Sequence, residues 1–327
     1  MTIKEIAEAL NISISTVSKA LNDATDIAEE TKATVRKYAE SIGYPMKSKI
    51  KESRRICVMY ERVDTDIRNH VFAQIVSSFT DIAVRNGYEV IIDTVSSKPD
   101  DFQLDEYLRQ NNFCAAFIMG MNFRSPIYSQ LRKTSLPLVL LDNRVSNCPL
   151  ISSVSSENTA AIIIAMRHLQ KLGHTKIGFL MGEKDSLVSA ERLAGYVLGL
   201  AQAGQDFKNE YVYYGDFTRE AGEKASKFFC ETDVTAVISC SDIMAIGLID
   251  GFAAAGKKVP DDISVMGFDD LSILKFTPYS LTTMKQDYIK MGEHAFTQIR
   301  EMLDGRSSQN VYLPCQLIER GTIKSLV

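Results

Sequence analysis

The sequence predicts an α/β protein in two unequal parts: a small N-terminal unit of three short helices, then a larger unit of parallel β-sheets. Three observations predict it. The first 45 residues carry apolar side chains at helical spacing in three short runs. From residue 56 onward, short apolar strands alternate with amphipathic helices, the pattern of parallel sheets covered on both faces. A chain of 327 residues is long enough for two such sheets with one cleft between them.

The elements follow in order. Ile3, Ile6, Ala7 and Leu10 form one helical stripe, and Thr2-Ile3-Lys4-Glu5 is a capping box that starts it. Asn11-Ile12 breaks the helix, since Asn tolerates the left-handed geometry of a tight turn. Ser13 to Leu21 reads as a second short helix with Val17, Ala20 and Leu21 inward. After Asp26 a third helix places Val35, Tyr38, Ala39 and Ile42 on one stripe and ends at Gly43. Two short helices joined by a tight turn and closed by a third form a helix-turn-helix, whose second helix can enter a major groove with Ser15 and Lys19 pointing out. Strand candidates are 56–60, 89–93, 115–119, 138–141, 176–181, 211–214, 236–239 and 263–267. Helices fall between them at 70–86, 158–172, 190–203, 220–229 and 242–255. Ligands in this architecture sit at the carboxyl ends of the strands, which here means the loops at 60–72, 120–124, 142–144, 182–192, 215–219, 240–242 and 268–270.

Composition excludes several classes. With 45% hydrophobic and 24% charged residues, the chain is neither disordered nor fibrous. No apolar run approaches the roughly 18 residues of a membrane span, and the N-terminus lacks the apolar stretch of a secretory signal. A cytoplasmic protein without membrane contact is the expectation. Its six scattered cysteines then read as reduced, small hydrophobes. His70, His168, His174 and His294 form no triad or metal spacing, and no nucleophile-elbow, P-loop or zincin motif is present. The reading is no enzyme, no metal and no cofactor. Net charge is −4, yet residues 1–55 are net +2, and 47–55 alone are net +4 through Lys47, Lys49, Lys51, Arg54 and Arg55 against Glu52. A basic strap on an acidic body is either a footprint for a polyanion or a solvated linker.

The residues of the first unit carry a resemblance. Thr2-Ile3-Lys4-Glu5-Ile6-Ala7, then Ser15-Thr16-Val17-Ser18-Lys19-Ala20-Leu21-Asn22, then Gly43-Tyr44 closely resembles the headpiece of the lactose/galactose repressor (LacI/GalR) family. The resemblance makes the second helix the recognition helix. It implies base contact by Ile14, Ser15 and Lys19, with phosphate-contacting or capping roles for Thr16 and Ser18. Ile14 either meets a thymine methyl or closes the core. Thr2, Ser13 and Asn22 complete the DNA-facing set of the headpiece, and Lys47, Lys49 and Ile50 supply that of the strap. Lys19 stands where Arg is usual, and a point charge reads guanine less rigidly than a bidentate fork. The hinge segment departs from the family pattern: it is shorter and lacks the Ala-Arg-x-Leu that would wedge a minor groove.

The resemblance continues along the chain through Leu172-Gly173-His174, Ser189-Ala190-Glu191-Arg192-Leu193-Ala194-Gly195, Ser241-Asp242-Ile243-Met244-Ala245, Ile263 to Asp270 and Leu281-Thr282-Thr283. It implies a two-lobed, periplasmic-binding-protein-like core whose chain crosses three times between lobes. The expected division is 1–46 headpiece, 47–55 basic linker and 56–327 effector-binding and dimerisation core. One lobe is then about 56–156 plus 286–314, the other about 157–285 plus 315–327. Effector contacts are expected from Arg192 and Asp269, and from Phe72 and Phe217, whose rings can cover an apolar ligand face or simply pack in the core. Phe123, Asp142, Ser186 and Ser241 join them. Asp242 either contacts ligand or caps the helix that begins there, and Arg192 either contacts ligand or forms a structural ion pair. Asp270 reads as structural.

The sequence reading is therefore a DNA-binding transcriptional regulator, a repressor in keeping with the family, controlled by a small polar effector, a sugar or sugar derivative, in the cleft. One recognition helix buries too little for useful specificity, so a homodimer on a pseudo-palindromic operator is expected. The rival readings are a cytoplasmic solute-binding protein and a sugar-converting enzyme of similar two-lobed fold.

Overall fold

The computed structural model describes residues 2–21, 24, 26–42, 53–61, 68–95 and 101–327. Asn22, Lys47, Lys49 and Ile50, four of the expected DNA contacts, lie outside the described residues.

The N-terminal unit is three helices: α1 (Ile3–Leu10), α2 (Ile14–Leu21) and α3 (Glu29–Ser41). Thr2 and Glu5 close the capping box, with the Thr2 hydroxyl accepting from the Glu5 amide and the Glu5 carboxylate from the Thr2 amide. Asn11 sits at φ 49°, the left-handed turn between α1 and α2. Ile6, Ala7, Val17, Ala20, Val35 and Ala39 bury a small core common to all three helices.

The remainder alternates strand and helix: β1 (Arg55–Tyr60), α4 (Arg68–Arg85), β2 (Glu89–Thr94), α5 (Leu104–Gln110), β3 (Ala115–Met119), β4 (Leu138–Leu141) and β5 (Ile151–Ser156). Then come α6 (Asn158–Lys171), β6 (Ile177–Met181), α7 (Leu187–Gln202), β7 (Val212–Tyr214), α8 (Arg219–Cys230), β8 (Ala236–Ser239), α9 (Asp242–Ala254), β9 (Ser264–Asp269) and β10 (Thr282–Lys285). The chain ends with α10 (Tyr288–Leu303), β11 (Asn310–Leu313) and β12 (Gln316–Ile318).

These strands make two six-stranded sheets. The first runs β11-β5-β4-β3-β1-β2 and is parallel throughout; the second runs β12-β10-β9-β8-β6-β7, parallel except for the β10–β12 pair. The chain therefore passes between sheets three times: after β5, after β10, and between β11 and β12. β3, β4, β6 and β8 are buried along their whole length, which is why they read as continuous apolar runs. Helix α10 returns to pack on α4 and the first sheet.

Differences from the expected elements have local causes. β5, Ile-Ser-Ser-Val-Ser-Ser, is buried at every position, yet four serines make it read as a loop. Its hydroxyls are satisfied by Gln298, Asn310, Asp142 and Gln286, partners that only the tertiary fold supplies. α7 starts at Leu187, so Arg192 lies in its second turn rather than at its head. No helix among the described residues is long and apolar enough to cross a membrane.

Candidate functional site

On the headpiece, Ser13 rather than a helical residue opens α2: its hydroxyl accepts the Thr16 amide at 2.9 Å and pairs with the Thr16 hydroxyl at 2.8 Å. Thr16 and Ser18 are half-buried, while Ser15 and Lys19 are exposed. Ile14 is 51% exposed and outside the headpiece core, so it does not close that core. The Lys19 ammonium rests on Asp26, whose carboxyl it holds below the usual range. The sequence gives no sign of this pairing, because it spans the turn between α2 and α3.

In the larger unit, the carboxyl ends of both sheets face one cleft of 610 Å³. Val71, Phe72, Gly120, Met121, Leu141 and Asp142 line it from the side of the first sheet. Glu183, Ser186, Val188, Arg192, Phe217, Ser241 and Asp269 line it from the second, and Gln286 lies at a crossing. Seven expected contacts thus meet in one cavity: Phe72, Asp142, Ser186, Arg192, Phe217, Ser241 and Asp269.

Arg192 is 4% exposed and held on three sides. Its Nε donates to Asn158 Oδ1 at 2.9 Å, its Nη1 to the Cys240 carbonyl, and its guanidinium lies 3.6 Å from the centre of the Phe268 ring. It forms no direct ion pair among the described residues, but its charge favours ionisation of both Asp142 and Asp269. Asp269 leaves β9 at φ 127° and Asp270 follows at φ 57°, two consecutive non-glycine residues in unfavourable backbone. Gln286 Nε2 donates to Asp269 Oδ1 at 2.7 Å. Desolvation nonetheless lifts the Asp269 carboxyl to about 6. Asp142, also left-handed at φ 57°, accepts from Ser155 at 2.6 Å, and burial pushes its carboxyl up as well. Phe72 packs on Tyr60 with ring centroids 5.6 Å apart. Phe217 lies over Gly182, where a Cβ would come within 2.1 Å of the ring.

Two expected contacts are placed elsewhere. Asp242 is fully buried and off the cleft wall: Thr283 donates to it at 2.6 Å, the Leu271 amide at 2.8 Å, and it sits against Gly267, where no Cβ fits. Nor does it cap α9. That role falls to Ser241, whose hydroxyl accepts the Met244 amide. Phe123 is not on the cleft wall either. It is 45% exposed and edge-on to Tyr128, and its amide donates to the Asp185 carbonyl at 3.0 Å. With the Arg124–Asp185 ion pair at 2.8 Å, this bond spans the two sides at the cleft mouth. Asp270, expected to be structural, pairs with Arg320. The sequence reading missed Gln286, Glu183, Arg219 and Glu220 on the wall. Glu183 lay within a flagged strand-end loop, whereas Gln286 gave no signal, because its place depends on where the chain crosses.

Residues 2–45 match the family described as bacterial regulatory proteins, lacI family, and residues 166–323 match the periplasmic binding protein-like domain. The chain thus carries a LacI-family helix-turn-helix domain ahead of a periplasmic-binding-protein-like domain. It is 29% identical to the HTH-type transcriptional repressor CytR of Escherichia coli K12 over 336 aligned residues, covering 99% of this chain and 97% of CytR. It is 27% identical to the repressor PurR of Mannheimia succiniciproducens, covering 99% of each. Among solved structures, the transcriptional regulator CelR in complex with cellobiose superposes with a TM-score of 0.74 at 22% identity, covering 98% of this chain and 99% of CelR. A LacI transcriptional regulator from a Rhodococcus species gives 0.72 at 26% identity, covering 84% and 99%. The relatives are transcriptional regulators, not enzymes, and LacI-family regulators bind operator DNA and small-molecule effectors. This chain is accordingly a DNA-binding transcriptional regulator.

Proposed function

We propose that this regulator is a cytoplasmic homodimeric repressor of the LacI family whose operator affinity is set by a sugar or sugar derivative closing the cleft. The observation that carries the effector reading is one cavity into which two sides of the molecule project Asp142 and Phe72 against Arg192, Asp269 and Phe217. Carboxylates accept from ligand hydroxyls, a guanidinium and backbone amides donate, and aromatic rings cover an apolar sugar face. CelR's complex with cellobiose and the repressor names of CytR and PurR support this reading. In it, 1–46 is the headpiece, 47–55 the basic linker and 56–327 the core, with lobes of about 56–156 plus 286–314 and 157–285 plus 315–327. Ile14, Ser15 and Lys19 face bases, with Asn22 beside them at the end of the recognition run. Thr2, Ser13, Thr16 and Ser18 set the helix starts and the phosphate contacts, Lys47 and Lys49 follow the phosphate backbone, and Ile50 is the apolar residue of the strap that can stand in for a minor-groove wedge.

Selection of bound fragments from a random DNA pool, followed by titration at several salt concentrations, tests the DNA half. A two-fold symmetric site and a steep fall of log affinity with log salt are expected. An asymmetric site bound with no salt dependence would sink the proposal. Repeating the titration with a sugar panel tests the effector half, where a ligand that shifts the curve must lose its effect in Asp269→Ala.

A further inference from the structure

Arg144, Glu191 and Asn158 lie off the cleft wall and join the two sides of the molecule. Arg144 follows β4 and Tyr312 lies in β11, both of the first sheet. Glu191 lies in α7, which packs on α6 and on β6 of the second. Arg144 Nη1 donates to Glu191 Oε1 at 2.8 Å and to the Tyr312 hydroxyl at 3.0 Å. The other carboxylate oxygen, Oε2, accepts from Asn158 Nδ2 at 3.0 Å. Asn158 is the first residue of α6, where the chain leaves the first sheet, and it is 1% exposed. Its Nδ2 is shared with the Ser155 hydroxyl at 3.3 Å and the Ser156 carbonyl at 3.1 Å, and its Oδ1 accepts from Arg192 Nε at 2.9 Å. The surroundings fix this orientation of the amide, since a flip sets its carbonyl against a carboxylate and its NH2 against a guanidinium. Ser155 in turn donates to Asp142 at 2.6 Å. One buried amide thus touches the supports of two cleft-wall charges, Asp142 from the first side and Arg192 from the second. It also holds one end of an ion pair that crosses between the sides.

We propose that Asn158 and Glu191 are positioning residues that tie the aim of Arg192 to the closure of the two sides, with Arg144–Glu191 as the latch. When the sides part, the latch yields at Arg144, whose side chain is 43% exposed and takes up water in place of its partner. Glu191, 15% exposed, then draws harder on the N–H of Asn158 that remains to it. Asn158 Oδ1 is the acceptor that fixes Arg192 Nε, so the guanidinium loses its fixed direction as the amide turns. The coupling runs both ways: a ligand that pulls on Arg192 or Asp142 acts on the same amide and so on the latch. The Thr159 hydroxyl donates to the Glu191 carbonyl at 3.0 Å, which keeps this turn of α7 registered on the start of α6 while the side chains move. The use of the relay by an effector rests on the reading of this cleft as the effector site; the relay itself does not.

Hydrogen exchange at the Phe123 amide reads closure, because that amide donates to the Asp185 carbonyl across the cleft mouth. In the full chain with no ligand added, Glu191→Gln should speed it roughly five-fold, the upper end for an ion pair with one exposed partner. The Ile118 amide, inside the buried β3, should exchange as before. Asn158→Asp keeps an acceptor for Arg192 but sets a second oxygen against Glu191, so it should speed Phe123 as well. Adding Glu191→Gln to it restores a donor–acceptor pair with the roles exchanged and should slow Phe123 below the Asn158→Asp rate. Should Asn158→Asp fold poorly, Arg144→Gln replaces it, and combined with Glu191→Gln it should add nothing to the single effect. The aim of Arg192 is read separately from its Nε–H resonance in arginine-labelled protein, assigned with Arg192→Lys. That resonance should shift or broaden in Glu191→Gln, although Glu191 reaches Arg192 through Asn158. An unchanged Phe123 rate, equal acceleration at Ile118, double variants whose effects simply multiply, or an unmoved Arg192 resonance each overturns the proposal. No effector enters the test, so its outcome is independent of the sugar panel that decides the reading of the cleft.

Discussion

Asp269 holds a carboxyl that titrates near 6 instead of the ordinary 3.8, chiefly because burial disfavours its charge and Asp142 opposes it further. Replacing it by asparagine keeps the shape and the acceptor for Gln286 while removing the charge. Lifting the carboxyl from 3.8 to about 6 corresponds to about 3 kcal/mol. Between 3.8 and 6 the folded chain binds more protons at this site than the unfolded chain does. The stabilising effect of the raised value is therefore complete below 3.8 and lost as pH rises through 6. Asp269→Asn should match the parent near pH 4 and exceed it above pH 7, by up to about 3 kcal/mol. In a unit of this size that is a gain of about 5–10 °C in Tm. Asp142 remains in both proteins, so most of its pH dependence cancels in the difference, whereas Asp242, which Asp269 also pushes up, is relieved of that opposition in the variant and shifts the difference in the same direction. Thermal melts of both proteins from pH 4.5 to 8 supply the test. A constant difference across that range, or a variant that is less stable at pH 8, would refute the argument that desolvation dominates at Asp269.

Two further outcomes are expected. Ser13→Ala removes the hydroxyl that accepts the Thr16 amide and should destabilise the start of α2 by about 1 kcal/mol, read as faster hydrogen exchange at Thr16 in the full chain; unchanged exchange would contradict the cap. Asp185→Ala breaks an ion pair whose arginine is 77% exposed, so global stability should change by less than about 1 kcal/mol while exchange of the Phe123 amide across the cleft mouth accelerates; a loss of several kcal/mol would mean the mouth contact is part of the core.

What the sequence made legible was whatever local pattern controls. Apolar runs exposed β1, β3, β4, β6 and β8, because a strand covered on both faces has no polar side to break the run. The capping box and Asn11 marked the first two helices for the same reason, since both act within four residues of themselves. Arg192 and Asp269 were legible as cleft residues from their places after strands. Asp242 was not legible as a core residue: the one-residue offset that gives the cap to Ser241 turns the next side chain inward, against Gly267. β5 and Gln286 were hidden by tertiary pairing. Serines form a buried strand only when the fold returns Gln298, Asn310 and Gln286 to their hydroxyls.

That same pairing joins the two sheets where the chain crosses between them. Ser156, at the end of β5 in the first sheet, donates to Gln286 Oε1 at 2.6 Å. Gln286 Nε2 then donates to Asp269, at the end of β9 in the second sheet, and to the Tyr288 hydroxyl at 3.2 Å. Gln286 is 7% exposed and also lines the cleft, so one amide ties together a strand end from each sheet beside the ligand cavity. Gln286→Leu keeps most of the volume and removes all three bonds. It leaves the Ser156 hydroxyl and one Asp269 oxygen buried without those partners, at a cost of roughly 1–3 kcal/mol. Because the bond to Asp269 favours the charged carboxylate, the same change should raise the Asp269 titration further and steepen the loss of stability on going from pH 5 to 8. The two effects separate in a double-mutant cycle with Asp269→Asn. If Gln286 acts through Asp269, the substitutions are non-additive by at least 0.5 kcal/mol, within the range of roughly 0.5–3 kcal/mol seen for residues in contact, and the pH-dependent part disappears in the double variant. Strict additivity at every pH would show that Gln286 only fills space, and that the crossing strands are held together by their backbone alone.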